Sequence, residues 1–332
     1  MAVSIEGIDI HAHGVPPKFM ESVQKSGLAG VKVEGNKSRY LLTFPGAETL
    51  RPIEGVMIDY VERLKWMDGQ NMRQQLIAPW LDIHGQELPA GDGQEWVRQL
   101  NDAIADQVAG SGGRLLAYAT LHLADPRAAA RELERASSQL KMTGTMLPCS
   151  LPQGSLAEAR YDALWEAAQS LNLPVVFHPL MDGPSACMFG SLPRYRNLYG
   201  RLIDSTVLAA QLIMAGVLDR YPKLRLVLVH GGGFLPYQTG RLDREFTGPT
   251  GLPASDYVKR FYYDTVLMST PALRLLLDLV GSGQIMIGSD YAATSVERKA
   301  PHLLEALDGT GIDAAGRKKV VRDTAAALFR IK

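Results

Sequence analysis

His11 and His13, in Gly7-Ile8-Asp9-Ile10-His11-Ala12-His13-Gly14, are two imidazoles spaced for metal chemistry. The β-branched Ile8 and Ile10 and the closing Gly14 read as a short buried strand. Alternate side chains of a strand share a face, which sets the two rings roughly 7 Å apart along it. Such a pair grips an ion only if further ligands converge from elsewhere in the chain. Three more residues qualify: His178 in Pro174-Val-Val-Phe-His178, His230 before Gly231-Gly-Gly233, and Asp290 in Gly288-Ser-Asp290. Imidazoles with a carboxylate suit a borderline divalent ion such as zinc and leave positions open for water or substrate. Each residue also has a plain reading. His178 could be a core histidine bonded to backbone, His230 a strand cap before glycines needing positive φ, and Asp290 a helix N-cap. The joint pattern is more specific than any one member, and it points to a metal site.

The elements that would carry these residues recur with a regular rhythm. After the first strand, Gln75–Pro79, Arg114–Leu121, Thr143–Leu147, Pro174–His178, Leu224–His230, Phe261–Thr265 and Gln284–Gly288 read as short strands. Helical stretches separate them: Asp59–Met72, Glu95–Ala109, Asp125–Gln139, Tyr161–Leu171, Ser205–Ala215, Leu235–Phe246 and Pro271–Val280, with Ala315–Phe329 last. Fully apolar runs such as Leu226-Val-Leu-Val229 fit parallel strands buried on both faces. Eight such units predict an α/β fold, a (β/α)8 TIM barrel, in one domain spanning residues 1–332. A small β-hairpin, about residues 25–50, is inserted after strand 1; Val31–Phe44 reads as two alternating runs about a Gly-Asn turn. A doubly wound open sheet would want Gly-x-Gly-x-x-Gly after its first strand, and that motif is absent there. In a barrel, the five candidate residues all fall at C-terminal strand ends, where such folds build active sites.

Composition narrows the class. The 332 residues carry 35 basic and 35 acidic side chains, so no charge excess points to nucleic acid or an anionic membrane. No apolar run reaches the roughly 18 residues of a membrane helix, and no secretory signal is evident. Two cysteines, Cys149 and Cys187, make neither a disulfide framework nor a thiolate metal motif, so a reducing cytoplasm is the expected setting. His84 and His122 follow strands two and three without evident partners and read as structural or supporting residues; His302 reads as surface.

The chain resembles the amidohydrolase superfamily, in its aminocarboxymuconate-semialdehyde decarboxylase-like branch of non-oxidative decarboxylases. The segments that carry the likeness are Asp9-Ile-His-Ala-His13, Phe177-His-Pro179, Val229-His-Gly-Gly-Gly233, Gly240-Arg-Leu-Asp243 and Gly288-Ser-Asp-Tyr291. The resemblance implies one divalent metal ion, zinc or manganese, on His11, His13, His178 and Asp290, with His230 as a catalytic acid/base. It also implies that Arg51, in Leu50-Arg-Pro52, holds a substrate carboxylate, and that Arg241 reaches a neighbouring subunit's site in a homodimer or higher homo-oligomer. Guanidinium forks suit both jobs. Trp80, after the second strand, could stack on a planar substrate. Departures from the branch occur at Ala292-Ala-Thr294, at Thr324-Ala325 and in the loop Met181–Tyr199.

The expected activity is metal-dependent decarboxylation of a small aromatic or muconate-like carboxylic acid in catabolism, with His230 or Asp290 delivering or relaying a proton. The alternative keeps the site but uses metal hydroxide: hydration of a C=C bond, deamination or lactone opening. The segment His230–Tyr237 is similar to that of oxalomesaconate hydratases, which carry Glu where this chain has Asp290. A catalytically dead barrel serving as a scaffold is disfavoured by the complete ligand set.

Overall fold

The computed structural model describes residues 6–152, 154–190, 192–292 and 303–332. His302 and the departure at Ala293-Thr294 lie outside the described residues. Eight parallel strands form the scaffold: β1 (Gly7–Gly14), β5 (Met72–Pro79), β6 (Leu115–Ala117), β7 (Thr145–Pro148), β8 (Val175–His178), β9 (Leu226–Leu228), β10 (Tyr262–Asp264) and β11 (Ile285–Met286). Regular pairing makes two arcs, β1-β5-β6 and β11-β10-β9-β8-β7. Single bridges join the arcs into a barrel. Ala119 pairs with Thr145 on one side, and Ala12 pairs with Tyr291 on the other. The Ile10 amide also donates to the Ile287 carbonyl at 2.9 Å.

The apolar runs alternate as a closed parallel sheet demands. Ile8, Ile10, Leu76, Tyr118, Met146, Val176, Val227 and Met286 fill the interior. Their neighbours Ile77, Leu115, Leu147, Phe177, Leu226, Leu228 and Ile285 join the layer that packs against the surrounding helices. Each fully buried aliphatic side chain contributes about 1.5–3 kcal/mol, so the strands are held from both faces.

Helix starts follow the caps in the sequence. Asp59 accepts from the Val61 and Glu62 amides ahead of the helix Tyr60–Gly69, and Asp125 does the same ahead of Pro126–Ser138. Two helical expectations need correction. The last helix is interrupted by a π turn at Lys319–Asp323, and Leu235–Phe246 divides into a 3₁₀ turn, Leu235–Gln238, and the helix Thr239–Glu245. Helical periodicity cannot distinguish these variants, whose side-chain spacing differs little over one turn.

After β1, the chain makes an antiparallel sheet of β2 (Lys32–Asn36), β3 (Arg39–Thr43) and β4 (Ile53–Glu54). Asn36 pairs with Arg39, so the turn is Lys37-Ser38 and not Gly-Asn. Asn36 Oδ1 accepts from both the amide and the hydroxyl of Ser38, which stabilises that placement. Val33, Tyr40, Leu42 and Ile53 pack with Trp80 and Trp96, fastening this sheet beside the barrel mouth. Among the described residues, no helix is long and apolar enough to cross a membrane.

Candidate active site

The site lies at the C-terminal ends of β1, β8 and β9 and on the segment after β11. One ligand atom each from His11, His13, His178 and Asp290 lies within 4.8 Å of the others, and all four residues are buried. His13 Nε2 is 3.2 Å from His178 Nε2 and 3.2 Å from Asp290 Oδ1. His11 Nε2 is 3.4 Å from the same oxygen. His230 stands beside the group, with Nε2 3.6 Å from Asp290 Oδ2.

β1 does not reach this geometry as a regular strand. Its register slips by one residue against β5 between Asp9 and Ala12, a bulge that re-aims the side chains around His11. The His11 and His13 rings end 5.3 Å apart, edge to face. Asp9, fully buried, accepts from the Gln75 amide nitrogen at 2.7 Å and from the Ser289 hydroxyl at 2.6 Å. That contact fastens β1 to the segment carrying Asp290. The buried Arg63 guanidinium donates to the His13 carbonyl and to Gln75 Oε1, completing the brace.

Backbone conformation is spent where the chemistry lies. His230 and Asp290 have φ values of 53° and 55°, a left-handed region that costs a non-glycine residue on the order of 1 kcal/mol or more. Gly231, at φ 60°, packs so closely on Leu267 that an added Cβ would come within 2.4 Å of it. The glycines therefore let the chain turn away tightly after His230.

Hydrogen bonds assign the free nitrogens. A carbonyl only accepts, so His178 Nδ1, 2.9 Å from the Pro179 oxygen, carries its proton and Nε2 keeps a lone pair. His11 Nδ1 donates to Asp264 Oδ2 at 2.6 Å, which leaves His11 Nε2 buried without a hydrogen-bond partner. An unpartnered His11 Nε2 and a lone pair on His178 Nε2, converging with a carboxylate, are what a cation requires, so the donor set fits a divalent metal.

Electrostatics run the same way. Burial pushes His13 down to about 3, and burial with the neighbouring imidazoles holds His178 well below its ordinary value. Burial also lowers His230. Burial opposes charge on His11, but Asp290 and Asp264 outweigh it and raise the ring to about 10. Burial would raise Asp290 too, yet His11, with hydrogen bonds from His13 and His230, keeps its carboxyl well below the usual range. The cluster thus holds His13, His178 and His230 neutral beside one anion, while the two carboxylates draw positive charge onto His11, the place a cation would take over.

A family model described as Amidohydrolase matches residues 8–331. The chain belongs to the amidohydrolase family. Within it, the chain falls in the aminocarboxymuconate-semialdehyde decarboxylase-like branch of non-oxidative decarboxylases. It is 23% identical over 311 residues to 2-amino-3-carboxymuconate-6-semialdehyde decarboxylase of Dictyostelium discoideum, covering 90% of this chain and 85% of that one. It is 28% identical over 261 residues to gamma-resorcylate decarboxylase of Polaromonas sp., covering 71% and 77%. Among solved structures, a dihydroxybenzoic acid decarboxylase from Polaromonas sp., with bound manganese and 2-nitroresorcinol, superposes with a TM-score of 0.80 at 23% identity, covering 98% and 97%. The family barrel accounts for the architecture found here.

The other expected residues of this amidohydrolase are distributed unevenly. Trp80 is buried, edge-on to His13 with ring centroids 4.9 Å apart. The Arg51 guanidinium lies over that ring at 4.3 Å and pairs with Asp82 at 3.2 Å. Arg241 is exposed on the helix Thr239–Glu245 and is not brought to the cluster. His84 donates to the Pro79 carbonyl at 3.0 Å and His122 to the Leu88 carbonyl at 3.1 Å; both are buried backbone anchors.

Two residues were not foreseen. Asp264 ends β10 as the acceptor behind His11; an acid closing a strand was the available signal. Arg201 is buried within 3.4 Å of His178 Nε2, and it precedes the expected helix start at Ser205 because the helix begins one turn earlier.

Proposed function

We propose that the protein is a metal-dependent, non-oxidative decarboxylase of a small aromatic or muconate-like carboxylic acid, with the whole chain, 1–332, as one catalytic barrel. The single observation carrying the reading is the convergence of His11, His13, His178 and Asp290 beside His230, in a chain whose relatives are decarboxylases. We assign those four residues as ligands of one divalent ion, zinc or manganese. When bound, such an ion supplies a Lewis acid that offsets charge left on the ring or diene.

The residues divide the remaining work. His230 delivers a proton to the carbon that loses carbon dioxide: the C–C bond breaks, its electrons stay on that carbon, and a C–H bond forms. Asp290, 3.6 Å from His230 Nε2, steadies the imidazolium or relays the proton. Arg51, held over Trp80, faces the incoming carboxylate, and Trp80 walls the pocket behind His13. We assign Arg241, exposed on its helix, to the neighbouring site of a homodimer, and the cytoplasm as the setting of the enzyme.

The test is a panel of hydroxylated aromatic acids and ring-cleavage products, assayed for carbon dioxide release and for water uptake. Release of carbon dioxide that requires bound metal supports the reading. Water addition or C–N or lactone cleavage without carbon dioxide overturns it in favour of a hydratase or hydrolase.

A further inference from the structure

Arg201 is a buried charge that the chemistry above does not use. It opens the helix Arg201–Met214 and is 4% exposed. Nη1 donates to Asn197 Oδ1 at 3.0 Å, and Nη2 donates to the Pro179 carbonyl at 3.3 Å and lies 3.4 Å from His178 Nε2. Its Nε is buried with no hydrogen-bond partner. Among the described residues, no carboxylate forms an ion pair with the guanidinium within 4.0 Å. Asp204, one turn along the helix, directs Oδ1 to the Ser185 amide instead.

A guanidinium sealed from water without a counter-charge is costly, and folds keep such a group where a ligand supplies the anion. Arg201 is also aimed. The nitrogen it approaches, His178 Nε2, is the one turned toward the other ligand atoms. Burial pushes Arg201 down, Asp290 pulls it up and the Arg51 charge pushes it down again, as expected for two cations sharing one pocket. Arg51 has Asp82 as its counter-ion; Arg201 has none. The group that Arg201 holds should survive the reaction. Arg51 already faces the carboxylate that leaves, so Arg201 is left for a group that stays.

We propose that Arg201 is a specificity-determining residue and that the substrate is an acid bearing a second anionic group, which Arg201 binds. The assignment rests on the decarboxylase reading only for which carboxylate leaves. It is tested by binding alone. Benzoate and isophthalate are titrated calorimetrically into the metal-loaded protein and into the Arg201→Met and Arg201→Lys variants. The wild type should bind isophthalate about tenfold or more tighter than benzoate. Arg201→Met should erase that preference while leaving benzoate binding within about twofold, and Arg201→Lys should restore part of it. Without ligand, Arg201→Met should melt within about 2 °C of the wild type or higher, because a charge lacking a counter-ion is removed. No preference for isophthalate in the wild type, including no binding of either acid, overturns the proposal. So does a preference that persists in Arg201→Met, or a clear fall in its melting temperature, which would mark a structural arginine. Failure of every acid to release carbon dioxide would sink the decarboxylase reading while leaving these titrations to decide the role of Arg201.

Discussion

Asp264 stands directly behind His11, its Oδ2 2.6 Å from Nδ1, with both side chains fully buried. The carboxylate also accepts from the Gly231 amide at 2.9 Å, so one residue orients His11 and the turn that follows His230. An acceptor on Nδ1 fixes the tautomer that keeps Nε2 basic. Asp264→Asn offers a weaker acceptor and an unwanted donor there. Metal affinity should fall by about 10–100-fold with the fold intact; chelator competition and circular dichroism measure the two separately.

Removing a member of the cluster should be harsher. Purified protein should carry one divalent ion per chain, and His178→Ala should lose it together with activity. Dialysis against a chelator should abolish turnover, and zinc or manganese should restore it. Metal-free protein with full activity would exclude the proposed chemistry.

His230 should separate from the ligands in its behaviour. His230→Asn is expected to retain the metal, since His230 faces Asp290 from beside the cluster, while kcat falls about 10²–10⁴-fold. Metal content by emission spectroscopy, measured on the sample used for kinetics, distinguishes this from a lost ligand.

His84 predicts a pH dependence of stability away from the chemistry. Burial lowers it to about 4, although its bond to the Pro79 carbonyl favours the charged form. Its ordinary value is about 6.5, so between these limits the unfolded chain binds the proton more readily. The contribution is therefore fully present above about pH 6.5 and is lost as pH falls toward about 4. At pH 5 the loss is about 2 kcal/mol. Urea midpoints at pH 7 and pH 5 should fall further in the wild type than in His84→Gln; equal falls would show that His84 does not titrate as its burial implies.

Much of this protein could be read along the chain because local rules carry far. Short apolar runs marked the barrel strands, since each buries one face inward and one against helices. The helices beginning at Asp59 and Asp125 were placed from local signals, and both aspartates cap amides only residues away. His11, His13, His178, His230 and Asp290 stood out because each follows or ends an apolar run, and a parallel barrel gathers all strand ends on one rim. The rest depended on contacts between residues distant in sequence. Asp264 is 253 positions from His11, and nothing near either residue advertises the pairing. Arg201 fell outside the expected helix from Ser205 and drew no role, because its burial is created by packing beside His178, not by its neighbours in the chain. Arg51 read as a free carboxylate clamp, whereas tertiary packing gave it Asp82 and the face of Trp80. Sequence alone determined which residue types stand at the rim, because periodicity and strand ends are local. Only the tertiary structure decided which of their nitrogens are free and which charges lack a partner, because hydrogen bonds and burial are properties of the assembled pocket.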